Sequence, residues 1–384
     1  MVPARSQPGR SVTKSPTRSQ APPARTGGAL DELIDLILPY LPAGLIGQTS
    51  ADRIRSAVDA VPAELVARFA LECRLGSDMA EADVHFCADS ETGGMQMLAE
   101  RHPLVELPEA LASAQSWAPV VRFCGRREPG LLLHRATRDV WADLTRQGEP
   151  SFSFGMRLAG LPEARRRPLE VLIRALEIGF EALRERPLQP PALTSMRALI
   201  RRLPETARVD RAGLVAGLPD DVRLWLSRLQ ADELVDLVAA VRDHDEAHAL
   251  RALLDDVVGP QDGVRARVDV NEGVGRSIAL ICTVDPAGSP PQVAARWGSL
   301  LSRLVEAELC TPDKREALLS CYGLLRERQA ERWPEHLTRL SDLYGEGAES
   351  FLHWRLHHVA IECDRGKPVH AGAHIVAAHG WSRR

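Results

Sequence analysis

No stretch of the sequence reaches the ~18 continuous apolar residues of a membrane span, and its first residues lack the apolar core of a secretory signal. Cysteine is sparse: seven residues, an odd number, with no CxxC pair. That excludes ribbon-type zinc sites and the dithiol redox motif, and it fits a reducing compartment. No GxGxxG or GxxxxGK[ST] stands between a strand and a helix, which disfavours the phosphate-loop folds. No GxSxG elbow supports a serine nucleophile. A formal net charge of −4 gives no reason to expect nucleic acid or an anionic membrane as partner. Lysine is almost missing, and tyrosine occurs three times. The expectation is a cytoplasmic protein that binds neither nucleic acid nor membrane.

What is present suits a globular chain: 45% of residues are hydrophobic and 26% charged. Residues 1–27 hold no acid, no aromatic and hardly any aliphatic side chain. Such a segment cannot bury enough surface to offset its ordering entropy, so it reads as a disordered basic tail. Residues 28–384 then read as a single domain.

Along that domain, paired strands alternate with helices. Five strand pairs are expected: 65–75 with 82–88, 117–124 with 130–144, 206–216 with 221–229, the two halves of 264–284, and 356–364 with the final "VHAGAHIVAA". Helices are marked by Pro168, by Ser289 before Pro290, and by Thr311 before Pro312, cap or first-turn signals in each case. Antiparallel pairs between helices make an α+β chain rather than a doubly wound parallel sheet.

Phasing each strand by its apolar face leaves a polar one. Opposite Phe69, Leu71 and Cys73 lie Ala70, Glu72 and Arg74; opposite Val84 and Phe86 lie Asp83, His85 and Cys87. Arg122 falls opposite Val121 and Phe123, Arg223 and Trp225 opposite Leu224, Arg267 opposite Val268, and His358 and Glu362 opposite Val359 and Ile361. On the last strand His370 and His374 share a face. The helices need apolar partners, and the apolar strand faces supply them. The polar faces either meet water on an open sheet or line the lumen of a barrel of about ten strands with helices outside. Closure removes the edges that an open sheet would expose and leaves room for a ligand.

A helix–strand–strand–helix unit used five times around a polar lumen resembles the ABBA-type prenyltransferases, the dimethylallyl-tryptophan-synthase-like enzymes, over roughly residues 30–378. The resemblance implies a transferase of bacterial specialised metabolism that moves a prenyl-like group from an allylic diphosphate to an aromatic or peptide acceptor. It implies no required cofactor, with Mg2+ compatible beside the diphosphate. By residue type, Arg74, Arg122, Arg223 and Arg267 match the diphosphate-binding side chains, Glu72 or Glu362 the catalytic carboxylate, and Trp225 the aromatic wall. Arginines converging in a low-dielectric lumen bind diphosphate bidentately and stabilise it as a leaving group. His358, His370 and His374 read as further substrate contacts; their spacing matches no zinc pattern, so no metal is expected. Read alone, Glu72 and Arg74 also suit a structural ion pair, and the polar face also suits a non-catalytic protein that binds a peptide or partner.

Overall fold

The computed structural model describes residues 28–100, 111, 114–126, 131–144, 150–158, 168–215, 218–242, 244–259, 264–271, 274–287, 289–345 and 347–383. The tail expected over 1–27 lies outside these residues. Among the described residues, eleven strands form one antiparallel sheet: β1 Arg68–Arg74, β2 Ala82–Asp89, β3 Thr137–Leu144, β4 Pro150–Met156, β5 Arg208–Val215, β6 Leu218–Leu229, β7 Val264–Val270, β8 Val274–Cys282, β9 Tyr322–Arg326, β10 Ala348–Asp364 and β11 Lys367–Arg383. Ten of them close into a barrel in the order β1 through β8, β10, β11, with β11 pairing back onto β1. β10 is long enough to take two partners on one side, β8 along Val359–Asp364 and β9 along Phe351–Arg355.

Alternation decides which face is dry. Phe69, Leu71 and Cys73 of β1, Val222, Leu224 and Leu226 of β6, and Ala371, Ala373 and Ile375 of β11 are all buried. They join one continuous core with the helices. These are α1 Leu30–Ile37, α2 Gln48–Val58, α3 Gly94–Leu98, α4 Ala118–Gly125, α5 Leu132–Ala136, α6 Pro168–Arg184, α7 Pro190–Arg202, α8 Ala231–Val241, α9 His244–Leu253, α10 Pro290–Glu306, α11 Pro312–Leu319 and α12 Glu335–Tyr344. Local chemistry starts them where expected. Ser289 and Gln292 form a capping box ahead of Pro290, and Thr311 Oγ1 accepts from Lys314 N at 3.4 Å ahead of Pro312. The β10–β11 turn takes Arg365 and Gly366 at φ 48° and 73°, the paired left-handed conformation of a tight hairpin. A Cβ on Gly366 would also sit 2.5 Å from the Glu246 carbonyl oxygen. Among the described residues, no helix is long and apolar enough to cross a membrane.

The second expected strand pair is corrected. Residues 117–124 do not form a strand: Ala118–Gly125 is α4. Val120, Phe123 and Cys124 are its buried residues, a spacing of three and four that serves a helix as well as Val and Phe serve a strand. Pro119 stands in its first turn, where the missing N–H is harmless. The true partner of β3 is β4, with Phe152 and Phe154 turned outward and buried.

Phe154 packs between Phe123 of α4 and Phe180 of α6, at ring-centroid distances of 4.9 and 5.6 Å. Phe154→Ala should therefore cost about 3–5 kcal/mol of stability, the usual range for deleting a fully buried aromatic ring. A denaturant midpoint unchanged in the variant would show that α4 does not pack on the barrel wall.

Candidate functional site

The inner faces of the strands enclose a cavity of about 2230 Å³. The polar faces therefore line a lumen and not a water-exposed sheet. Its walls carry arginines, carboxylates and histidines with two indoles, Trp141 of β3 and Trp225 of β6. Trp297 of α10, Leu318, Leu319 and the largely exposed Tyr322 of β9 also line it.

One side of the lumen is a chain of acids and imidazoles across β3, β2, β1, β11 and β10. Asp143 stands directly opposite His85 in the β2–β3 register, and its Oδ1 meets His85 Nδ1 at 2.8 Å. His85 Nε2 meets Glu72 Oε2 at 2.9 Å. On the other side of Glu72, His374 Nε2 lies 3.5 Å from Oε1 and has no hydrogen-bond partner. The His374 ring stacks on His358 at 3.9 Å, and His358 Nδ1 meets His357 Nδ1 at 2.8 Å. Burial works against a charge on His85, but Asp143 and Glu72 outweigh it and push the pKa up to about 10. Burial likewise works against Glu72, yet His374 and His85 hold its carboxyl well below the usual range. Burial drives His358 the other way, helped by His374 and His357, so it stays neutral. Gly372 gives Glu72 its room: a Cβ there would stand 2.9 Å from Glu72 Oε1.

The opposite side is built from arginines. Arg223 of β6 forms a two-pronged pair with Asp269 of β7, at 2.6 and 2.8 Å. Arg267 of β7 pairs with Glu362 of β10, which also accepts from Ser277 Oγ at 3.2 Å. Back on the acid–imidazole side, Arg68 of β1 reaches buried Asp139 of β3 at 3.0 Å. Arg211 of β5 differs from these. Its guanidinium lies 4.2 Å from the Trp141 ring centroid and 5.1 Å from that of Trp225. Among the described residues no carboxylate pairs with it. Burial lowers its pKa, though not to where a guanidinium would lose its proton.

The residues singled out from the sequence divide accordingly. Glu72, Glu362, Arg223, Arg267, Trp225, His358, His370 and His374 all line the lumen. Two do not. Arg74 lies at the far end of β1, exposed to solvent, beyond the lining that Glu72 and Ala70 supply; its strand face was right and its depth was not. Arg122 is on α4, outside the barrel, where its Nε lies 2.9 Å from Glu185 and its Nη2 donates to the Leu183 carbonyl. The helix, not a strand, sets its direction. Arg211, Arg68, Trp141, His85 and Asp143 were missed as site residues. The alternation of β2 did turn His85 inward, whereas β5 carries a register shift between Val209 and Arg211 that hides Arg211 from any two-residue count.

No protein-family model matches the chain, and no curated protein sequence does. Solved structures do match. The chain is similar to 5-dimethylallyltryptophan synthase from Streptomyces coelicolor at 13% identity and a TM-score of 0.44, covering 86% of this chain and 91% of that one. It is similar to 6-dimethylallyltryptophan synthase from Micromonospora olivasterospora, solved with DMASPP and Trp, at 10% identity and a TM-score of 0.44, over 81% of each chain. It is also similar to the prenyltransferase PriB, at 13% identity and a TM-score of 0.41, over 81% of this chain and 79% of that one.

The Asp143–His85–Glu72 chain fixes a pH response. His85 holds its proton to about 10 in the fold, against ~6.5 unfolded. Its stabilising contribution is full below ~6.5 and is lost as pH rises toward 10. Glu72 and Asp143, both lowered, contribute above the ordinary carboxylate range and lose that contribution as pH falls through their depressed values. His85→Ala should cost about 3–5 kcal/mol near neutrality, because it leaves two carboxylates facing each other without a cation. Denaturation curves of both proteins from pH 6 to 10 should converge at the alkaline end; a constant gap would show that His85 is not charged.

Proposed function

We propose that this protein transfers a prenyl-like group from an allylic diphosphate to an aromatic acceptor inside the barrel. The observation that carries the reading is Arg211, a half-buried guanidinium held between two indoles, which among the described residues no carboxylate meets at ion-pair distance, although Asp143 and Asp139 act on it from farther off. A guanidinium in a low-dielectric lumen without a directly paired carboxylate is a site for an anion. Arg68, Arg223 and Arg267 line the same cavity and supply further fork-shaped donors as the diphosphate displaces their carboxylates.

In this reading the allylic C–O bond breaks, both of its electrons leave with the diphosphate, and the guanidinium groups stabilise the charge that develops there. The allylic cation forms beside Trp141 and Trp225, whose π faces stabilise a neighbouring cation. An aromatic carbon of the acceptor attacks, and the ring then loses the proton from that carbon. Glu72 takes it. A depressed carboxylate suffices, because the proton on such a cationic ring intermediate is strongly acidic, and Glu72 is ionised over the whole working range. His85 and Asp143 position Glu72; Glu362 is the second carboxylate of the lumen. His358, His370 and His374 contact the acceptor. No cofactor is required, and Mg2+ would serve by accompanying the diphosphate. A peptide-borne aromatic acceptor, a role in bacterial specialised metabolism and a cytoplasmic setting complete the proposal. Closure of the sheet removes the open polar face on which a purely partner-binding protein would rely.

The test is release of inorganic diphosphate from dimethylallyl diphosphate in the presence of an indole or phenol acceptor. Arg211→Met should lower kcat/KM about 30- to 1000-fold, the equivalent of about 2–4 kcal/mol of leaving-group stabilisation. Glu72→Gln should reduce alkylated product more than diphosphate release, since ionisation precedes deprotonation. Wild-type protein that releases no diphosphate with any aromatic acceptor would overturn the reading.

A further inference from the structure

Glu72, His85 and His374 hold one feature that prenyl transfer does not use. Each offers a ligand atom, and these atoms lie within 4.8 Å of one another. The side chains come from β1, β2 and β11, three adjacent strands of the closed sheet, so their Cα positions are fixed by the ladder. The short separations are the Glu72–His85 contact at 2.9 Å and the Glu72–His374 contact at 3.5 Å. A tetrahedral ion with bonds of about 2.0–2.2 Å needs its ligand atoms about 3.3 Å apart. Rotation of side chains alone spans the difference.

We propose that these three residues form a binding site for a borderline divalent transition metal, with Zn2+ as the reference ion. Two imidazoles and one carboxylate are the donor set that such ions favour over Mg2+ or Ca2+. The surrounding geometry is that of a metal site in two independent respects. His374 Nε2 is buried, points at the cluster and makes no hydrogen bond, while stacking on His358 at 3.9 Å fixes its ring plane. His85 presents Nε2 to the cluster because Asp143 Oδ1 holds its Nδ1 at 2.8 Å, and an incoming ion displaces to solvent the Nε2 proton that otherwise bonds to Glu72. A carboxylate behind a ligating histidine orients the ring and raises its donor strength. Three protein ligands leave a fourth position facing the lumen, an open site rather than a closed structural one. A metal there uses Glu72 as a ligand, so metal occupancy and Glu72 acting as a base exclude each other. The site itself does not depend on the prenyl-transfer reading.

The experiment uses the full chain, treated with a chelator and dialysed, without any diphosphate. Titration with Zn2+ is followed by calorimetry, and titration with Co2+ by its visible absorption. One ion per chain is expected, with a Co2+ band of tetrahedral intensity. His374→Ala and Glu72→Gln should each weaken Zn2+ binding at least about tenfold and alter the Co2+ band; Asp143→Asn should weaken it about 10- to 100-fold through His85. His353→Ala, a change at an exposed histidine outside the cluster, should leave both unchanged. Melting curves without metal establish that each variant is folded, and the near-isosteric Glu72→Gln decides the matter if His374→Ala is not. No Zn2+ uptake by the wild type overturns the proposal. So does uptake whose affinity and Co2+ spectrum in Glu72→Gln and in His374→Ala are the same as in the wild type.

Discussion

Six residue pairs, from Phe69 with Ala377 to Arg74 with Gly372, join the first strand to the last. Without that ladder the sheet would be open, its polar face would be wet, and the arginines and carboxylates on it would be screened surface groups worth little. With the ladder formed, the same side chains surround a cavity of about 2230 Å³, where a charge must find a partner or meet a ligand. The pairing also brings His374 beside Glu72, so the closing seam of the barrel runs through the candidate site.

Closure explains the charge inventory of the lumen. Arg223 has Asp269, Arg267 has Glu362, Arg68 has Asp139, and His85 has both Glu72 and Asp143. These couples neutralise one another in a low-dielectric space. Arg211 stands apart, stabilised by indole faces in place of a carboxylate. Small residues make room for the charged ones. Gly372 leaves space for Glu72, and Gly155 for Asp139, whose Oδ1 would lie 2.1 Å from an added Cβ.

Most of this was legible in the sequence wherever strict alternation holds. The apolar sides of β1, β2, β6, β7 and the paired ends of β10 and β11 could be phased without a structure, and the inward turn of Glu72, Arg223, Arg267 and Glu362 followed. Two physical causes hid the rest. Around Val120, Phe123 and Cys124 the apolar spacing satisfies both a strand and a helix, and α4 resulted. Arg122 went to the outer surface with it. Within β5, the register shift between Val209 and Arg211 breaks the two-residue period, so Arg211 carried no signal. Contacts across strands were beyond sequence in another way. Glu72 faces Asp83 in the ladder and reaches His85 only on the diagonal, a choice made by side-chain rotamers. Depth along a strand was equally hidden, as Arg74 shows.

The central claim is that Arg211 makes the lumen an anion site. Calorimetric titration of the full chain with inorganic pyrophosphate tests it most directly, without reliance on any acceptor or on turnover. Wild type and Arg122→Met should bind one pyrophosphate with the same affinity, because Arg122 lies outside the barrel, and Arg211→Met should give no binding heat. Absence of heat from the wild type, or equal heats from the wild type and Arg211→Met, would contradict the account.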